Sequence, residues 1–127
     1  MQISKFVLTV GMMLGAIASA QVVEVAAVRA NAQDQYGAIA TSEAGSWGYA
    51  YNYPTRAQAE AQALNQCGTN DCFVRVWFKN ACGAVAQNNN NTIGWGWATS
   101  RQQAEAQAIR AVGTGDTRIV SWACTDR

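Results

Sequence analysis

An internal duplication constrains the fold of this chain more than any other feature. The segment TRAQAEAQA at residues 55–63 returns as SRQQAEAQA at residues 100–108. The similarity extends to both sides, because GAIA returns as GAVA, WGYAYN as WGWATS and Trp77 as Trp122. Equivalent residues are offset by 45 to 48 positions. Two copies are fewer than a solenoid needs, so the pattern predicts two half-domains that form one fold.

Each copy predicts the same order of secondary structure. A short strand is followed by a polar loop and by a second strand in which aromatic residues alternate with others. The repeated AQAEAQA segment predicts a helix, since Ala, Gln and Glu are strong helix formers and poor strand formers. A third strand, CFVRVWFKN or TRIVSWACT, closes each copy. We therefore predict an α+β domain of two β-β-α-β repeats related by a pseudo-two-fold axis, with two short helices packed on antiparallel sheet.

The predicted helices span residues 55–66 and 100–112, and each begins with a capping box. Thr55 and Ser100 are each followed by a Gln three residues later, so that hydroxyl and amide can satisfy each other's backbone donors. Helices this short depend on packing against the sheet. The spacing predicts faces of small side chains for this packing: Ala57, Ala61 and Leu64 in the first helix, and Ala104, Ala108 and Ala111 in the second.

The first 20 residues have the features of a secretory signal peptide. One charge, Lys5, precedes the apolar run FVLTVGMMLGAIA and a small-residue cleavage site at residues 18–20. The chain is thus divided into a signal peptide (1–20), an N-terminal arm (21–35) and one duplicated domain (36–127) with repeats at about 36–80 and 82–125. The apolar run is too short for a membrane span. We expect a secreted or periplasmic protein with no membrane span after cleavage.

Composition argues against several classes of partner and cofactor. The chain has nine basic and eight acidic residues, and Lys5 is the one charge in the predicted signal peptide, so the mature domain is neutral. A neutral domain gives no electrostatic reason to expect nucleic acid as a partner. His is absent, which removes the commonest general base and metal ligand. Without His, free thiolates or an Asp-rich loop, we expect neither a metal nor a cofactor.

The repeat selects one of the three ways in which four cysteines can pair. An even number of cysteines in an exported chain favours disulfides. The positions equivalent to Cys67 and Cys72 are Val112 and Thr117, so both cysteines are present in one copy and both are absent from the other. Such residues behave as a pair. We therefore predict that Cys67 bonds to Cys72 and that Cys82 bonds to Cys124.

Four segments and a closing tripeptide form a specific combination: YGAIA, TRAQAEAQALNQCGTNDC, VWFKNACGAVA, GWGWATSRQQAEAQA and WAC. In these residues the chain resembles a family of small secreted bacterial proteins described as domain of unknown function 4189. The resemblance covers nearly all of residues 36–125. Family members often have a further cysteine pair where this chain has Val112 and Thr117. The resemblance supports the domain boundary and the compartment, but it brings no catalytic residues.

Aromatic residues in the second strand of each copy are the candidate binding residues. They are Trp47, Tyr49, Tyr51 and Tyr53 in the first copy, and Trp95 and Trp97 in the second. If exposed, such rows suit stacking on the sugar rings of cell-wall glycan or anchoring a protein partner. The alternative is that they form a core packed against the Ala-rich helices, because aromatic residues in strands are usually packing residues.

The charged residues that repeat have simpler explanations than catalysis. Arg56 with Glu60, repeated as Arg101 with Glu105, has the spacing of a surface ion pair on a helix. A glycoside hydrolase would need two carboxylates, which Glu60 with Glu105 or Asp71 with Asp116 could supply. Both Asp residues precede strands, where Asp is typical of turns, and Ser or Thr has no His base. We predict no catalytic residue.

These observations favour a non-enzymatic binding or interaction module whose partner is a protein, as in an inhibitor- or immunity-type role. The alternative is a cell-wall glycan-binding module that uses the Trp and Tyr rows. A hydrolase with paired carboxylates is the least favoured. Neither the identity of the partner nor the exposed face of the aromatic strands follows from the sequence.

Overall fold

The computed structural model describes residues 33–127, in which each repeat forms a three-stranded antiparallel sheet with one helix. The first repeat contains β1 (Tyr36–Thr41), β2 (Trp47–Tyr53), α1 (Arg56–Cys67) and β3 (Phe73–Lys79). The second contains β4 (Cys82–Asn88), β5 (Ile93–Ala98), α2 (Arg101–Val112) and β6 (Thr117–Cys124). The strand orders β2-β1-β3 and β5-β4-β6 place the first strand of each repeat at the centre. The predicted α+β fold of two β-β-α-β repeats is confirmed.

The N-terminal predictions fall largely outside this region. The predicted signal peptide (1–20) and all but the last three residues of the predicted arm (21–35) lie outside the described residues. Asp34–Arg127 forms one compact unit. Within the described residues, neither helix is long and apolar enough to cross a membrane.

The two sheets pack face to face, and a helix covers the outer face of each. Strand β1 lies across from β4, β2 across from β6 and β3 across from β5, whereas α1 contacts only the first sheet and α2 only the second. Side chains alternate between these layers along each central strand. In β1, Ala38 and Ala40 pack beneath α1 while Ile39 packs between the sheets, and Val85 of β4 meets it there.

The helices begin where the capping boxes predict. The side chains of Thr55 and Ser100 accept hydrogen bonds from the backbone N–H groups of Gln58 and Gln103, each at 3.2 Å. The observed helices, Arg56–Cys67 and Arg101–Val112, agree with the predicted spans to within one residue at each end.

The buried face of α1 differs from the predicted one. Ala57, Ala61 and Leu64 are exposed. The buried residues of the two helices are instead Ala59, Ala63 and Cys67 in α1, and Ala104, Ala108 and Val112 in α2, where Ala111 is exposed. These two sets are related by the same offset of 45 positions, so both helices bury the same repeat positions.

One aromatic ring fills the centre between the sheets. Phe78 is 1% exposed, and its ring lies where a Cβ atom on Gly37 or Gly83 would collide with it. These two glycines are equivalent in the repeats, but the residue equivalent to Phe78 is Ala123. The pseudo-two-fold symmetry is therefore broken at the centre, because a close-packed core has room for only one ring there.

The two disulfides have the connectivity that the repeat predicts. Cys67 is bonded to Cys72 and thereby links the end of α1 to the turn before β3. Cys82 is bonded to Cys124, its register partner on the neighbouring strand, with Cα atoms 4.0 Å apart. Stable disulfides form in oxidising compartments. The two bonds therefore fit a protein that folds outside the cytosol.

Candidate functional site

Glycine determines which way the aromatic rows point. In β2, Gly48 lies directly beneath the backbone of Ala63 and Cys67 of α1, and in β5, Gly94 and Gly96 lie beneath α2. A side chain at these positions would collide with the helix, so the alternating Trp and Tyr residues must point to the opposite face of the sheet. For the two Trp and Tyr rows apart from Tyr53, the interpretation that the aromatics form a core against the Ala-rich helices is therefore wrong.

The aromatic rows remain exposed because β2 and β5 are edge strands. The exposed fraction is 47% for Trp47, 45% for Tyr51, 47% for Trp95 and 57% for Trp97, whereas Tyr49 is half-buried. The rings of Trp47, Tyr49 and Tyr51 form a continuous row, with centroids 5.9 and 6.1 Å apart and planes inclined by 17° and 5°. All five residues of the two rows are thus accessible to a partner.

Tyr53 does not belong to the row. Asn52 has a positive φ of 66°, and the pairing of β2 with β1 shifts register beside it. Such an irregularity moves the following side chain to the other face of the strand. Tyr53 consequently packs against the core beneath α1.

The row on β2 lines a groove that β6 closes on its other side, here called the β2/β6 groove. It has a volume of about 480 Å³ and is lined by Trp47, Tyr49 and Tyr51, by residues 120–124 of β6, and by Asp126. Two hydrogen bonds fix Asp126: Asn52 Nδ2 donates to its Oδ2 at 2.8 Å, and its own N–H donates to Asn52 Oδ1 at 2.9 Å. The groove therefore combines an aromatic wall with one fixed carboxylate.

The row on β5 lines a second groove with β3, here called the β3/β5 groove. It has a volume of about 530 Å³ and is lined by residues 75–79 of β3 together with Trp95 and Trp97. The pseudo-two-fold axis exchanges β2 with β5 and β6 with β3, so the two grooves are equivalent. They lie at the two opposite open sides of the sandwich.

In each edge strand with an aromatic row, one backbone N–H group already donates a hydrogen bond to a glutamine side chain of a helix. The N–H of Tyr49 donates to Gln66 Oε1 at 2.6 Å, and the N–H of Trp97 donates to Gln107 Oε1 at 3.2 Å. An open edge donor invites pairing with another chain, and these glutamines occupy it. The arrangement favours recognition by side chains over the addition of a strand.

The repeated Arg–Glu pairs have a structural role that includes an aromatic partner. Arg56 donates to Glu60 at 2.9 Å and Arg101 donates to Glu105 at 2.8 Å. The same guanidinium groups lie 4.4 Å from the ring centroid of Trp77 and 3.7 Å from that of Trp122. Each cation–π contact connects the start of a helix to the last strand of its repeat. The sequence contains a signal for this contact, because Trp77 and Trp122 are separated by the same 45 positions as Arg56 and Arg101.

The structure does not bring the candidate carboxylates together. Glu60 and Glu105 lie on helices that cover opposite outer faces of the two sheets. Stacked sheets are about 10 Å apart, whereas the carboxyl groups of a glycosidase are about 5–9.5 Å apart. Asp71 accepts a hydrogen bond from Thr69 Oγ1 at 2.6 Å in the turn before β3, and Asp116 lies in the turn before β6, at the other side of the sandwich.

No metal centre accompanies these carboxylates in the described part of the chain. Residues 33–127 contain no group of three His, Cys, Asp or Glu side chains that could hold an ion. The two grooves are therefore the sites whose geometry points to a function.

Comparison with known proteins finds relatives of unknown function. The family model described as "Domain of unknown function (DUF4189)" matches residues 36–124. Protein Rv1269c of Mycobacterium tuberculosis H37Rv is 60% identical over 60 residues, which are 47% of this chain and 48% of that protein. Uncharacterized protein Rv1813c of the same strain is 39% identical over 89 residues, 70% of this chain and 59% of that protein. The chain thus spans about half the length of the first of these relatives.

A solved structure has a similar fold. The NMR structure of Rv1813c from Mycobacterium tuberculosis matches with a TM-score of 0.56 and 38% sequence identity, over 71% of this chain and 74% of that one. The match supports the duplicated architecture described above.

Proposed function

Because the chain belongs to the family described as domain of unknown function 4189, whose description names no activity, we propose its function from the geometry. The protein is a non-enzymatic binding module that acts in the periplasm or after secretion and holds a protein partner through its aromatic grooves. An inhibitor- or immunity-type role, in which the domain covers a functional surface of its partner, is the form that we favour. The two disulfides and the signal-like first 20 residues support this compartment.

The exposure of tryptophan is the observation that carries the proposal. All five Trp residues of the chain are at least 39% exposed, and the rings of Trp47, Trp95 and Trp97 form the aromatic walls of the two grooves. Exposed apolar patches mark interaction sites. Trp, Tyr and Arg are also the residue types enriched at the centres of protein interfaces. Edge strands of two packed sheets, in repeats that each contain one disulfide, hold these side chains, so little conformational freedom is lost on binding.

A glycan-binding module is the second candidate. The row of Trp47, Tyr49 and Tyr51, with planes inclined by only 17° and 5°, also suits stacking on consecutive sugar rings. The same groove would then follow a cell-wall polysaccharide along β2.

Capture from envelope extracts under oxidising conditions tests the proposal. The wild type is compared with Trp47→Ala and with the double variant Trp95→Ala/Trp97→Ala. Matched controls are Leu64→Ala and Ile109→Ala, which remove side chains of similar exposure, 38% and 42%, from the helices outside both grooves. We expect the wild type and the controls to retain one stoichiometric protein. At least one groove variant should weaken its binding by about 30-fold, because truncation at an interface centre costs about 2 kcal/mol or more.

Two outcomes count against protein binding. Recovery of no stoichiometric protein would contradict it, as would a protein that binds every variant equally well. Retention of the wild type on insoluble cell-wall glycan, with loss in the groove variants, would support the glycan-binding candidate instead. Near-ultraviolet circular dichroism of each variant checks that the fold is intact.

A further inference from the structure

We infer that the β3/β5 groove is an acid-binding site that takes an extended segment of the partner protein and presents Arg75 to a carboxylate on it. The inference rests on the proposed protein-binding function and adds to it the groove and the chemistry of the partner. It follows from the difference between two grooves that the duplication made equivalent.

The two grooves have diverged in charge. Arg75 and Lys79 occupy the positions that Val120 and Cys124 have in the other repeat. Asp126 of the β2/β6 groove has no acidic counterpart, because the equivalent residue is Ala81. The β3/β5 groove is therefore lined by the Arg75 guanidinium and by no carboxylate, and the β2/β6 groove by one carboxylate and no cation. Since both grooves have an aromatic wall, charge is the property that distinguishes their ligands.

Arg75 is held in place but is not neutralised. Its Nε donates to Thr41 Oγ1 at 2.9 Å, and its Nη2 donates to the Thr41 carbonyl at 3.5 Å. Thr41 is 3% exposed, so this anchor is rigid. The guanidinium also lies 5.5 Å from the ring centroid of Phe73. No carboxylate in residues 33–127 pairs with Arg75.

Arg75 differs from the two helix arginines that are paired with carboxylates. Arg56 and Arg101 each bind a Glu on their own helix. In Arg75 the Nε edge is occupied by Thr41, and Nη1 makes no hydrogen bond within residues 33–127. A guanidinium held in this way can bind a carboxylate through two parallel hydrogen bonds, which lysine cannot do.

The opposite wall of the groove favours a peptide. Trp95 and Trp97 are alternate residues of one strand, so their side chains repeat at about 6.6 Å, the repeat of alternate side chains in any extended peptide beside them. Gln107 accepts the N–H of Trp97, so contact through side chains is favoured over strand addition.

The five indole N–H signals of the chain provide the test in a nuclear magnetic resonance titration. Single Trp→Phe variants assign them. The probe is the peptide acetyl-AEAEAEA-amide, and its neutral match is acetyl-AQAQAQA-amide. We expect the Glu peptide to shift the signals of Trp95 and Trp97 and to leave those of Trp47 and Trp122 in place. The Gln peptide should bind at least about tenfold more weakly, because it lacks the charge-assisted bonds.

Variants of one side chain identify the anchor. Arg75→Val, which introduces the residue found at the equivalent position of the other groove, should weaken Glu-peptide binding by about tenfold or more. The affinity of Arg75→Lys for this peptide should lie between that of Arg75→Val and that of the wild type. Arg110→Val makes the same change of charge on the exposed end of α2 and should leave binding unchanged. If Arg75→Val lowers the melting temperature through the loss of the Thr41 contacts, Arg75→Lys still decides the outcome.

Equal binding of the two peptides, or binding that Arg75→Val and Arg75→Lys leave unchanged, would overturn the inference. A trimeric uronic acid is titrated as well, and a shift of Trp95 and Trp97 by this saccharide but not by the Glu peptide would replace the peptide with an acidic glycan. Failure here is distinct from failure of the proposed function. A captured protein that is lost with Trp47→Ala alone would preserve protein binding and overturn the acid-binding site.

Discussion

Asp34 fixes the residues that precede β1 to the end of β3. Its Oδ1 accepts a hydrogen bond from Asn80 Nδ2 at 3.0 Å, and its Oδ2 lies 3.2 Å from Lys79 Nζ. The N–H of Gln35 donates to Asn80 Oδ1 at 2.9 Å, and the N–H of Asn80 donates to the Gln35 carbonyl at 2.9 Å. The bond from Asn80, followed by that from Lys79, lowers the pKa of Asp34 below its ordinary value of 3.8.

We expect Asp34 to stabilise the fold at neutral pH and not in acid. When the pKa of a carboxyl is lower in the folded than in the unfolded state, its contribution is complete above the unfolded pKa of about 3.9 and disappears as the pH falls through the folded pKa. Asp34→Asn should therefore lower the melting temperature at pH 7, and its difference from the wild type should shrink as the pH falls below the unfolded pKa of about 3.9. Thermal unfolding of both proteins across this range measures the effect. A difference that stays constant with pH would refute it.

Among the elements, the two disulfides close loops of very different length, with sequence separations of 5 and 42 residues. In the chain-entropy model these closures stabilise by about 2 and about 4 kcal/mol. We expect Cys82→Ala/Cys124→Ala to lower the free energy of unfolding by about 2 kcal/mol more than Cys67→Ala/Cys72→Ala does. Denaturant unfolding of the oxidised proteins measures both losses. The prediction fails if removing the short bridge costs as much as removing the long one.

The elements themselves could be predicted because their signals are local, but the buried face of a helix could not. Capping boxes and composition fixed the helix positions to within a residue. The alternating Ala residues of AQAEAQA lie all around a helix of 3.6 residues per turn, so both the buried and the exposed faces contain Ala. Superposition of the two repeats separates Ala57 from the buried positions, because its equivalent is Gln102, but it does not separate Ala61, because its equivalent is Ala106.

The aromatic rows show the same limit for strands. Trp at alternate positions is compatible with a core or with a surface, and the general preference for burial points to the core. The glycines between them contain the missing information, since a Cβ atom at Gly48, Gly94 or Gly96 would collide with the helix above it. A Trp–Gly alternation in an edge strand beside a helix therefore predicts that the aromatic face points away from that helix. The difference in charge between the two grooves could not be predicted from the sequence. It depends on which strands of the two sheets face each other, and no local sequence pattern specifies this pairing.

At the scale of the whole molecule, duplication produces two equivalent grooves and not one. Because β2 faces β6 and β3 faces β5, the grooves lie at opposite sides of the sandwich, and a single flat surface of a partner cannot cover both. Each groove could thus change its ligand while the other kept its own. Opposite charges in the two grooves, from Arg75 in one and Asp126 in the other, are expected if the grooves changed independently of each other.

The centre of the molecule, in contrast, makes the two halves depend on each other through Phe78. Phe78→Ala should lower the free energy of unfolding by about 3–5 kcal/mol, the usual cost of removing a buried ring. Trp97→Ala, at a side chain that is 57% exposed, should cost less than about 1 kcal/mol and serves as the control. Denaturant unfolding measures both changes. Equal effects of the two substitutions would show that the ring does not join the halves.

Moving the ring to the other repeat tests the symmetry directly. Ala123 is the register partner of Gly83, as Phe78 is of Gly37, so Ala123→Phe places a ring at the equivalent position of β6. In the wild type this change should destabilise by about 1–3 kcal/mol, because the space is already filled. Combined with Phe78→Ala, it should restore more than half of the stability lost, which gives a large favourable coupling energy in the double-mutant cycle. If the two losses simply add, the two positions do not share one space, and the ring of Phe78 belongs to the first repeat alone.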